Sequence, residues 1–445
     1  HRAPAGPAAR PRRRRVSARF SRLDDWLAWQ ETAHPVKIDL SLGRVRHVLA
    51  ALAPPLAGVP VITVAGTNGK GSTVALLDAI YRAAGYRTGV YTSPHLLRYN
   101  ERVRIAGQEV DDDALCAAFA RIDAARGAIS LSYFEWGTLA ALDLFAAAGC
   151  EVLILEVGLG GRLDAVNAVD ADVAILTSID LDHQHFLGDT RDAIGAEKAA
   201  IARPGRPLIV TDPAPPPSVI AHAAHCGAPL WRYGIDYTAA AAEADDWAWT
   251  CGDDCLRLPR PGLAGAVQLR NAASAVLAAR LLRGRLPVAD AALAQGVRQA
   301  RIPARFERRG RDPEWLLDVA HNPEAARNLA ANLRAQPSPG RTLAVFGMLA
   351  DKDVAGVIAP LVDLIDTWHV AGLDGPRGAE APHLAQQLAG VGVTAVRMHA
   401  DVAAACRAAG GAADVGRVLV FGSFHTVEQA LRSGVLPAAG GGATL

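Results

Sequence analysis

A short glycine-rich segment carries the residues best suited to binding phosphate. The run Gly66-Thr67-Asn68-Gly69-Lys70-Gly71-Ser72 follows a predicted strand, Val61–Val64, and leads into a predicted helix that begins at Ser72. Its glycines allow a tight bend in which several main-chain N–H groups point at one anion, and the helix dipole and Lys70 add positive charge. Gly71 separates the lysine from the hydroxyl, so the spacing differs from the common G-x-x-x-x-G-K-[ST] loop. The segment predicts a phosphate cradle; the alternative is a glycine turn with an exposed lysine.

Three polar side chains stand at the ends of further apolar runs. They are a hydroxyl, Ser93, a carboxylate, Glu156, and an imidazole, His183. Ligands of doubly wound sheets bind beyond the carboxyl ends of the strands, so we expect these groups to lie beside the cradle. Mg²⁺ normally takes one or two protein groups together with phosphate oxygens and water. The pattern predicts magnesium bound against phosphate, with a salt-bridged Glu156 and a structural His183 as alternatives.

The second half of the chain repeats this arrangement twice. Asp318-Val319-Ala320-His321-Asn322-Pro323 follows one apolar run, and Gly422-Ser423-Phe424-His425-Thr426 follows another. Each predicts a polar site at a strand end, with a helix cap as the alternative. Lys198 lies in a predicted helix, where residue type alone favours a solvated surface lysine.

The elements that must position these groups alternate between strands and helices. This order predicts a doubly wound, mostly parallel sheet, followed by a smaller C-terminal Rossmann-like α/β domain. We expect a disordered basic tail at 1–21, an N-terminal domain at 22–300, a hinge at 301–304 and a C-terminal domain at 305–445. Residues 213–265 are expected to form a peripheral segment with short strands.

Composition narrows the possible classes of protein. A length of 445 residues predicts two or three domains, and the net charge of +1 gives no global sign of nucleic-acid or membrane binding. No apolar run reaches the roughly 18 residues of a membrane span. The six scattered cysteines and the absence of a signal-like apolar stretch favour the cytoplasm. Half of a zinc site at Cys251-x₃-Cys255 and a nucleic-acid role for the arginine-rich tail are the weaker alternatives.

Several of these segments together resemble the folylpolyglutamate synthases of the Mur-ligase superfamily, and among them the bacterial bifunctional dihydrofolate synthase/folylpolyglutamate synthases. The resemblance covers about residues 22–435. Besides the cradle it rests on Tyr91-Thr92-Ser93-Pro94-His95-Leu96, Asn100-Glu101-Arg102, Glu156-Val157-Gly158-Leu159-Gly160-Gly161-Arg162-Leu163-Asp164-Ala165 and Asp318–Pro323. One departure is Val267-Gln268 before Asn271, where the family often has His-Gln.

The resemblance implies a role for individual residues. ATP would be bound by Thr67 to Ser72, Asn271, Arg305 and Asp318. One Mg²⁺ would be bound by Ser93 and Glu156, and a second by His183. The pterin pocket would be formed by Thr32, Ala33, His34, Pro35, Ser132, Leu163, Asp164 and Ala165, and the glutamate would be faced by His321 and Ser423. Lys70, His183, Lys198 and His321 would be catalytic. Lys198 would be carbamoylated, which reverses the surface interpretation.

The implied activity is an ATP-dependent ligase. It would add L-glutamate to dihydropteroate and to the γ-carboxylate of folates through an acyl phosphate, as a cytoplasmic monomer with small-molecule partners only. The implied cofactors are two Mg²⁺ ions, with room for a monovalent cation. Two alternatives remain: a Mur-type ligase that adds an amino acid to a UDP-sugar peptide, and a switch-type nucleoside triphosphatase that acts by binding partners.

Overall fold

An eight-stranded sheet forms the centre of the N-terminal part of the chain. A computed structural model describes residues 18–36, 38–242 and 245–438. The strand order is β4-β3-β2-β5-β1-β6-β7-β8. The six strands β2, β5, β1, β6, β7 and β8 pair in parallel, whereas β3 pairs antiparallel with β2 and with the edge strand β4. The strands are β1 (Val61–Ala65), β2 (Thr88–Tyr91), β3 (Val103–Ile105), β4 (Gln108–Glu109), β5 (Val152–Glu156), β6 (Val173–Leu176), β7 (Leu208–Val210) and β8 (Leu230–Arg232).

Helices cover both faces of this sheet. They are α1 (Leu23–Ala33), α2 (Gly43–Leu52), α3 (Lys70–Ala83), α4 (Asp112–Arg126), α5 (Tyr133–Ala148), α6 (Gln184–Leu187), α7 (Arg191–Ala199), α8 (Pro217–Cys226), α9 (Val267–Leu281) and α10 (Asp290–Gln299). The helices α1, α2, α4, α5, α7 and α8 share one buried core, and α3, α9 and α10 share the other. Because both faces are covered, β1, β5 and β6 are apolar along nearly their whole length.

A small antiparallel sheet packs beside α9. Its strands are β9 (Thr238–Ala241), β10 (Asp246–Cys251) and β11 (Asp254–Pro259). Trp247 and Trp249 point from β10 into the core that contains α3 and α9. Cys251 pairs with Asp254, and Cys255 pairs with Thr250, so the two cysteines point to opposite faces of the hairpin. This geometry does not suit the zinc alternative.

A six-stranded sheet forms the second α/β unit. Its order is β12-β13-β17-β14-β15-β16, with only β12 antiparallel. The strands are β12 (Glu307–Arg309), β13 (Glu314–Leu317), β14 (Arg341–Phe346), β15 (Thr367–Ala371), β16 (Val396–His399) and β17 (Val415–Phe421), and the helices are α11 (Pro323–Ala335), α12 (Val354–Ile358), α13 (Ala381–Gly390), α14 (Val402–Gly410) and α15 (Phe424–Arg432). The helices α11 to α13 cover one face, and α14 and α15 cover the other. We call this unit the C-terminal lobe and the preceding part the N-terminal lobe.

The expected fold of two α/β units with mainly parallel sheets is confirmed. The sequence also predicts a mostly helical stretch from Trp26 to Leu56 with one interruption at His34-Pro35. The interruption is present but longer than predicted, because α1 ends at Ala33 and α2 begins only at Gly43. The predicted basic tail lies largely outside the described residues. Among those that are described, no helix is long and apolar enough to cross a membrane.

Candidate active site

One cavity of about 630 Å³ opens between the two lobes. It lies at the carboxyl ends of the central strands of both sheets, where ligands of such folds bind. Its lining includes most of the residues that the sequence singled out: Thr67 to Ser72, Ser93, Ser132, Glu156, Leu163 to Ala165, His183, Lys198, Asn271, Arg305, Asp318, His321 and Ser423. Residues separated by more than 350 positions in the chain therefore face one space.

The cradle is a tight turn between β1 and α3. Gly66 has φ +149° and Gly69 has φ +88°, both in the region that favours glycine. A side chain at Gly66 would overlap the hydroxyl of Thr177, so this position also needs the missing Cβ. Lys70 Nζ donates to the carbonyl oxygens of Gly66 at 3.0 Å and Thr67 at 3.2 Å. The helix begins at Lys70, two residues before the predicted start, so the lysine belongs to the first helical turn.

Lys198 is buried, which contradicts the surface interpretation drawn from residue type. It lies near the end of α7, and its Nζ donates to the Gly66 carbonyl at 3.1 Å, so two lysines meet at this oxygen. Burial and the neighbouring Lys70 lower the pKa of Lys198 to about 7. A large share of this amine is therefore neutral near pH 7, which is the form that can react with CO₂.

Glu156 and Ser93 lie together beside the first turn of α3. Glu156 is 5% exposed, and its Oε2 accepts the Ser93 main-chain N–H at 3.3 Å. A Cβ on Gly71 would stand 3.9 Å from Glu156 Oε2, so the carboxylate reaches the cradle itself. Burial raises the pKa of Glu156, and Lys70 opposes that rise. This is an oxygen donor at low dielectric beside the expected position of a phosphate.

His183 also lines the cavity, at the start of α6. Its backbone is left-handed, with φ +51°, and its N–H donates to Asp182 Oδ1 at 2.8 Å. Burial lowers the pKa of His183 to about 4, so the ring is neutral at pH 7 and offers a lone pair. Among the described residues, no group of three or more His, Cys, Asp or Glu side chains could hold a metal ion alone. A metal here would need phosphate oxygens or water, as Mg²⁺ commonly does.

Asp182 joins the two lobes next to His183. It accepts Lys352 Nζ at 2.5 Å and Asn322 Nδ2 at 3.1 Å, and His321 Nε2 lies 3.7 Å away. Burial would raise the pKa of Asp182, but His183, Lys352 and His321 together lower it. Sequence reasoning missed Lys352, a single lysine in the connection after β14. A search for cations in loops after strands of the second sheet would have found it.

The cradle also contacts the C-terminal lobe directly. Asn68 and Asn322 exchange amide hydrogen bonds of 3.1 and 3.0 Å, and Asn68 Nδ2 donates to Glu324 Oε2 at 2.5 Å. Glu324 Oε2 also accepts the Ser178 hydroxyl at 2.8 Å. Asn322 is at the same time the N-cap of α11, whose Ala325 N–H it accepts at 3.0 Å. The phosphate loop of one lobe is thus held by the first turn of a helix of the other.

Arg305 and Asp318 lie in the first part of the C-terminal lobe and line the cavity. Asp318 accepts the main-chain N–H groups of Phe306 at 2.9 Å and Ala320 at 2.8 Å, and burial raises its pKa. The left-handed backbone of Phe306, with φ +51°, follows Arg305 directly, and the guanidinium lies 5.0 Å above the Phe424 ring. These contacts turn Arg305 into the cavity.

Asn271 reaches the cradle from α9. Its Nδ2 donates to Gln268 Oε1 at 2.9 Å, and its side chain lies against Gly69, where an added Cβ would meet Asn271 Oδ1 at 3.1 Å. The Val267-Gln268 departure therefore keeps a partner for this amide. Asn271 stands where it can contact a nucleotide held by the cradle.

The predicted pterin pocket is only partly brought together. Ser132, Leu163, Asp164 and Ala165 line the cavity, but the four residues Thr32 to Pro35 do not. Thr32 and Ala33 end α1, and His34 bonds instead to Ser130 and Asp39. The wall at this place consists of Ile38 to Ser41. The structure does not bring the segment from Thr32 to Pro35 to the cavity, because the chain turns toward the cavity only after it.

Both carboxylate oxygens of Asp164 accept hydrogen bonds from main-chain N–H groups nearby in the chain. Its Oδ2 accepts the N–H groups of Gly158 and Leu159 at 3.0 and 2.9 Å, and its Oδ1 accepts that of Val166 at 2.9 Å. Burial nonetheless raises the pKa of Asp164 to about 6. The carboxylate shapes the glycine-rich turn after β5 and faces the cavity as well.

Ser423 and His321, the two residues expected near glutamate, differ in whether they have a polar atom left to contact a ligand. Ser423 caps α15, accepting the Thr426 N–H at 3.0 Å and contacting the Thr426 hydroxyl at 2.8 Å, so the helix-cap alternative holds for it. His321 Nδ1 lies 2.8 Å from the Val319 carbonyl, which makes Nδ1 the protonated nitrogen and leaves the Nε2 lone pair facing the cavity. Burial lowers the pKa of His321 to about 4.

Comparisons with known proteins give the same two units. Residues 64–279 match the Mur ligase middle domain, and residues 304–424 match the Mur ligase glutamate ligase domain. The dihydrofolate synthase/folylpolyglutamate synthase of Escherichia coli strain K12 is 46% identical over 420 residues, covering 94% of this chain and 97% of that protein.

Solved structures of such proteins superpose closely. Escherichia coli FolC in complex with DHPP and ADP has a TM-score of 0.87 at 46% identity, covering 93% of this chain and 97% of that one. A bifunctional folylpolyglutamate synthase/dihydrofolate synthase with Mn, AMPPNP and L-glutamate bound has a TM-score of 0.86 at 46% identity, covering 94% and 99%. By identity and by fold over nearly its whole length, the chain belongs to the Mur ligase family, among the dihydrofolate synthase/folylpolyglutamate synthases.

Proposed function

We propose that this protein is an ATP-dependent ligase that adds L-glutamate to dihydropteroate and to the γ-carboxylate of tetrahydrofolates. The observation that carries the proposal is the single cavity in which the cradle and Lys198 of one lobe face Asp318 and His321 of the other. Relatives with this fold bind DHPP and ADP, or AMPPNP with Mn and L-glutamate, which supports both substrates.

The reaction must first activate a carboxylate, because a carboxylate anion is a poor electrophile. Its oxygen attacks the γ-phosphorus of ATP in line, the bond to the β-phosphate oxygen breaks, and an acyl phosphate and ADP result. Lys70 lies at the loop where the β- and γ-phosphates would bind. Its ammonium and the N–H groups at the start of α3 stabilise the negative charge that spreads over the transferring phosphoryl oxygens.

The donor set fits divalent metal ions bound with phosphate. Glu156 and the Ser93 hydroxyl would hold one Mg²⁺, and the neutral ring of His183 would contribute to a second. When bound, such ions neutralise phosphate charge and hold its oxygens in place. The monovalent cation and the monomeric state remain predictions.

Lys198 is proposed to carry a carbamate. Its ammonium first loses one proton; the neutral amine then attacks CO₂, a nitrogen–carbon bond forms while one carbon–oxygen π bond opens, and a second proton leaves the nitrogen. The cationic side chain thereby becomes an anionic carbamate. The product would carry two oxygen acceptors beside Lys70 and the Gly66 carbonyl. This change of sign suits a place where two lysines would otherwise repel each other.

The second step is attack by the glutamate amine on the acyl carbon, after which phosphate leaves. The amine must lose its proton before it attacks. With its pKa near 4, His321 is too weak a base to remove that proton efficiently, but its Nε2 lone pair can accept a hydrogen bond and orient the amine. Asp182, ionised and adjacent, favours an approaching ammonium group electrostatically.

Closure of the lobes protects the acyl phosphate from water. Residues 301–304 are proposed as the hinge, since they connect the two lobes and Arg305, which follows directly, lines the cavity. The contacts of Asn68 with Asn322 and of Asp182 with Lys352 would tie phosphate binding to the closed arrangement.

The test is one assay with ATP, Mg²⁺ and L-glutamate, supplied with dihydropteroate, tetrahydrofolate or a UDP-sugar peptide. We expect the two pteridine substrates to gain one glutamate by mass, with one phosphate released per bond. Phosphate release without any new amide would favour a simple triphosphatase, and a product only with the sugar nucleotide would favour the cell-wall alternative. Either outcome would overturn the proposal.

A further inference from the structure

The connection between α1 and α2 forms part of the cavity wall without being a helix or a strand. The cavity is lined here by Ile38, Asp39, Leu40 and Ser41, and Phe134 lines the same cavity. A segment outside helices and strands has no regular ladder of main-chain hydrogen bonds, so side-chain contacts contribute more to its shape. Its position therefore depends on what holds Asp39, the charged residue of this wall.

Arg44, in the first turn of α2, holds Asp39 at two points. Its Nη1 donates to Asp39 Oδ2 at 2.8 Å, and its Nη2 donates to the Asp39 carbonyl at 3.1 Å. The same guanidinium donates through Nε to Glu135 Oε1 at 3.2 Å. The planar guanidinium of Arg44 thus joins the wall segment to α5, and a lysine could not make this set of hydrogen bonds.

Glu135 is a rigid anchor for this guanidinium. Its side chain is 3% exposed, and its Oε2 accepts the Ser132 N–H at 2.7 Å in a capping box at the start of α5. Both Glu135 and Ser132 also line the cavity. Arg44 therefore joins the irregular wall segment to a buried, hydrogen-bonded helix terminus that lines the same cavity.

His34 supports the arrangement from the far end of the connection. Its Nε2 lies 3.0 Å from Asp39 Oδ2, and its Nδ1 lies 2.9 Å from the Ser130 hydroxyl. Arg44 itself is not among the residues that line the cavity. Any influence of Arg44 on a bound molecule must then pass through Asp39 and Glu135.

We propose that Arg44 is a positioning residue for the acyl substrate. By fixing Asp39, it holds Ile38 and Leu40 in the wall against which the aromatic ring system of that substrate packs. This inference rests on the proposed function, because it assigns this end of the cavity to the pteridine substrate. The nucleotide and glutamate bind around other elements, so Arg44 should affect one substrate and not the others.

The experiment compares Arg44→Ala and Arg44→Lys with Arg46→Ala, which removes an exposed arginine from the same helix. Initial rates yield kcat and the KM values for dihydropteroate, ATP and glutamate, and the thermal midpoint reports folding. For Arg44→Ala we expect the KM for dihydropteroate to rise about tenfold or more, since a charge-assisted hydrogen bond contributes on that scale. We expect kcat and the KM for ATP to change less than about threefold, Arg44→Lys to recover part of the loss, and Arg46→Ala to match wild type.

Asp39→Asn provides the second variant, because it weakens the wall contact and leaves Arg44 paired with the buried Glu135. If Arg44→Ala does not fold, this variant decides, and its dihydropteroate KM should also rise. An unchanged dihydropteroate KM in the folded variants would overturn the inference. So would an equal loss toward all three substrates that follows the folded fraction. Absence of product with wild type and Arg46→Ala would instead contradict the proposed function itself.

Discussion

The pKa of Lys198 leads to a quantitative prediction about its modification. Its usual value is 10.5, and burial together with Lys70 lowers it to about 7. The neutral fraction at pH 7 then rises from about 0.03% to about one half, roughly a thousandfold gain in the form that attacks CO₂. We expect activity to fall when CO₂ and bicarbonate are removed, and to return when bicarbonate is added. The loss should be larger below pH 7, because protonation then removes the reactive amine.

Three variants test the role of this side chain in the same assay. Lys198→Arg keeps a cation but cannot form the carbamate, so we expect a folded protein with less than about 1% of wild-type activity, as for loss of a preorganised group at a reaction centre. Lys198→Ala should recover activity with a small carboxylate such as acetate, which can occupy the vacated volume. Peptide mass should show the added mass of one CO₂ when the adduct is trapped.

Stability gives a readout that does not depend on catalysis. Because the folded-state pKa is below the unfolded value, the unfolded chain binds more protons between pH 7 and 10.5. In CO₂-free buffer, the free energy of unfolding should therefore rise with pH across that window, by up to about 5 kcal/mol, and Lys198→Met should lack this rise. Full activity of wild type without CO₂, together with an unmodified peptide at saturating bicarbonate, would refute the reasoning.

Three other substitutions separate catalysis, loop geometry and surface charge. Glu156→Gln should abolish amide formation while the thermal midpoint stays the same or rises, since a buried carboxylate becomes neutral; near-normal turnover would contradict the metal assignment. Gly66→Ala should lose ATP binding in a titration with the nucleotide, because its Cβ would overlap Thr177, and wild-type affinity would contradict the cradle geometry. Arg327→Ala breaks an exposed pair with Asp180 and should change unfolding by about 1 kcal/mol or less, with kcat within about threefold; a large loss of kcat would indicate that lobe closure depends on this pair.

The parts of the site that local sequence determines were predictable. Gly66 and Asp318 each follow a buried strand and Glu156 ends one, and a parallel sheet brings the carboxyl ends of its strands to one edge. Lys198 was different, because residue type favours the surface and only the resemblance suggested a role. Its burial depends on how α7 packs against the cradle, and no periodicity within one helix carries that information.

Loop positions were the least predictable part, and the pterin wall shows the physical reason. A motif identifies residues that must be present, but it does not say whether they contact a ligand or hold the chain that does. Glu101 uses both carboxylate oxygens on the N–H groups of Leu96, Leu97 and Arg98. His34 likewise turns toward Asp39, and the segment that forms the wall lies six residues further along the chain than the predicted one. Long-range contacts such as the one between Arg44 and Glu135 decide these cases, since neither partner has any local reason to face the other.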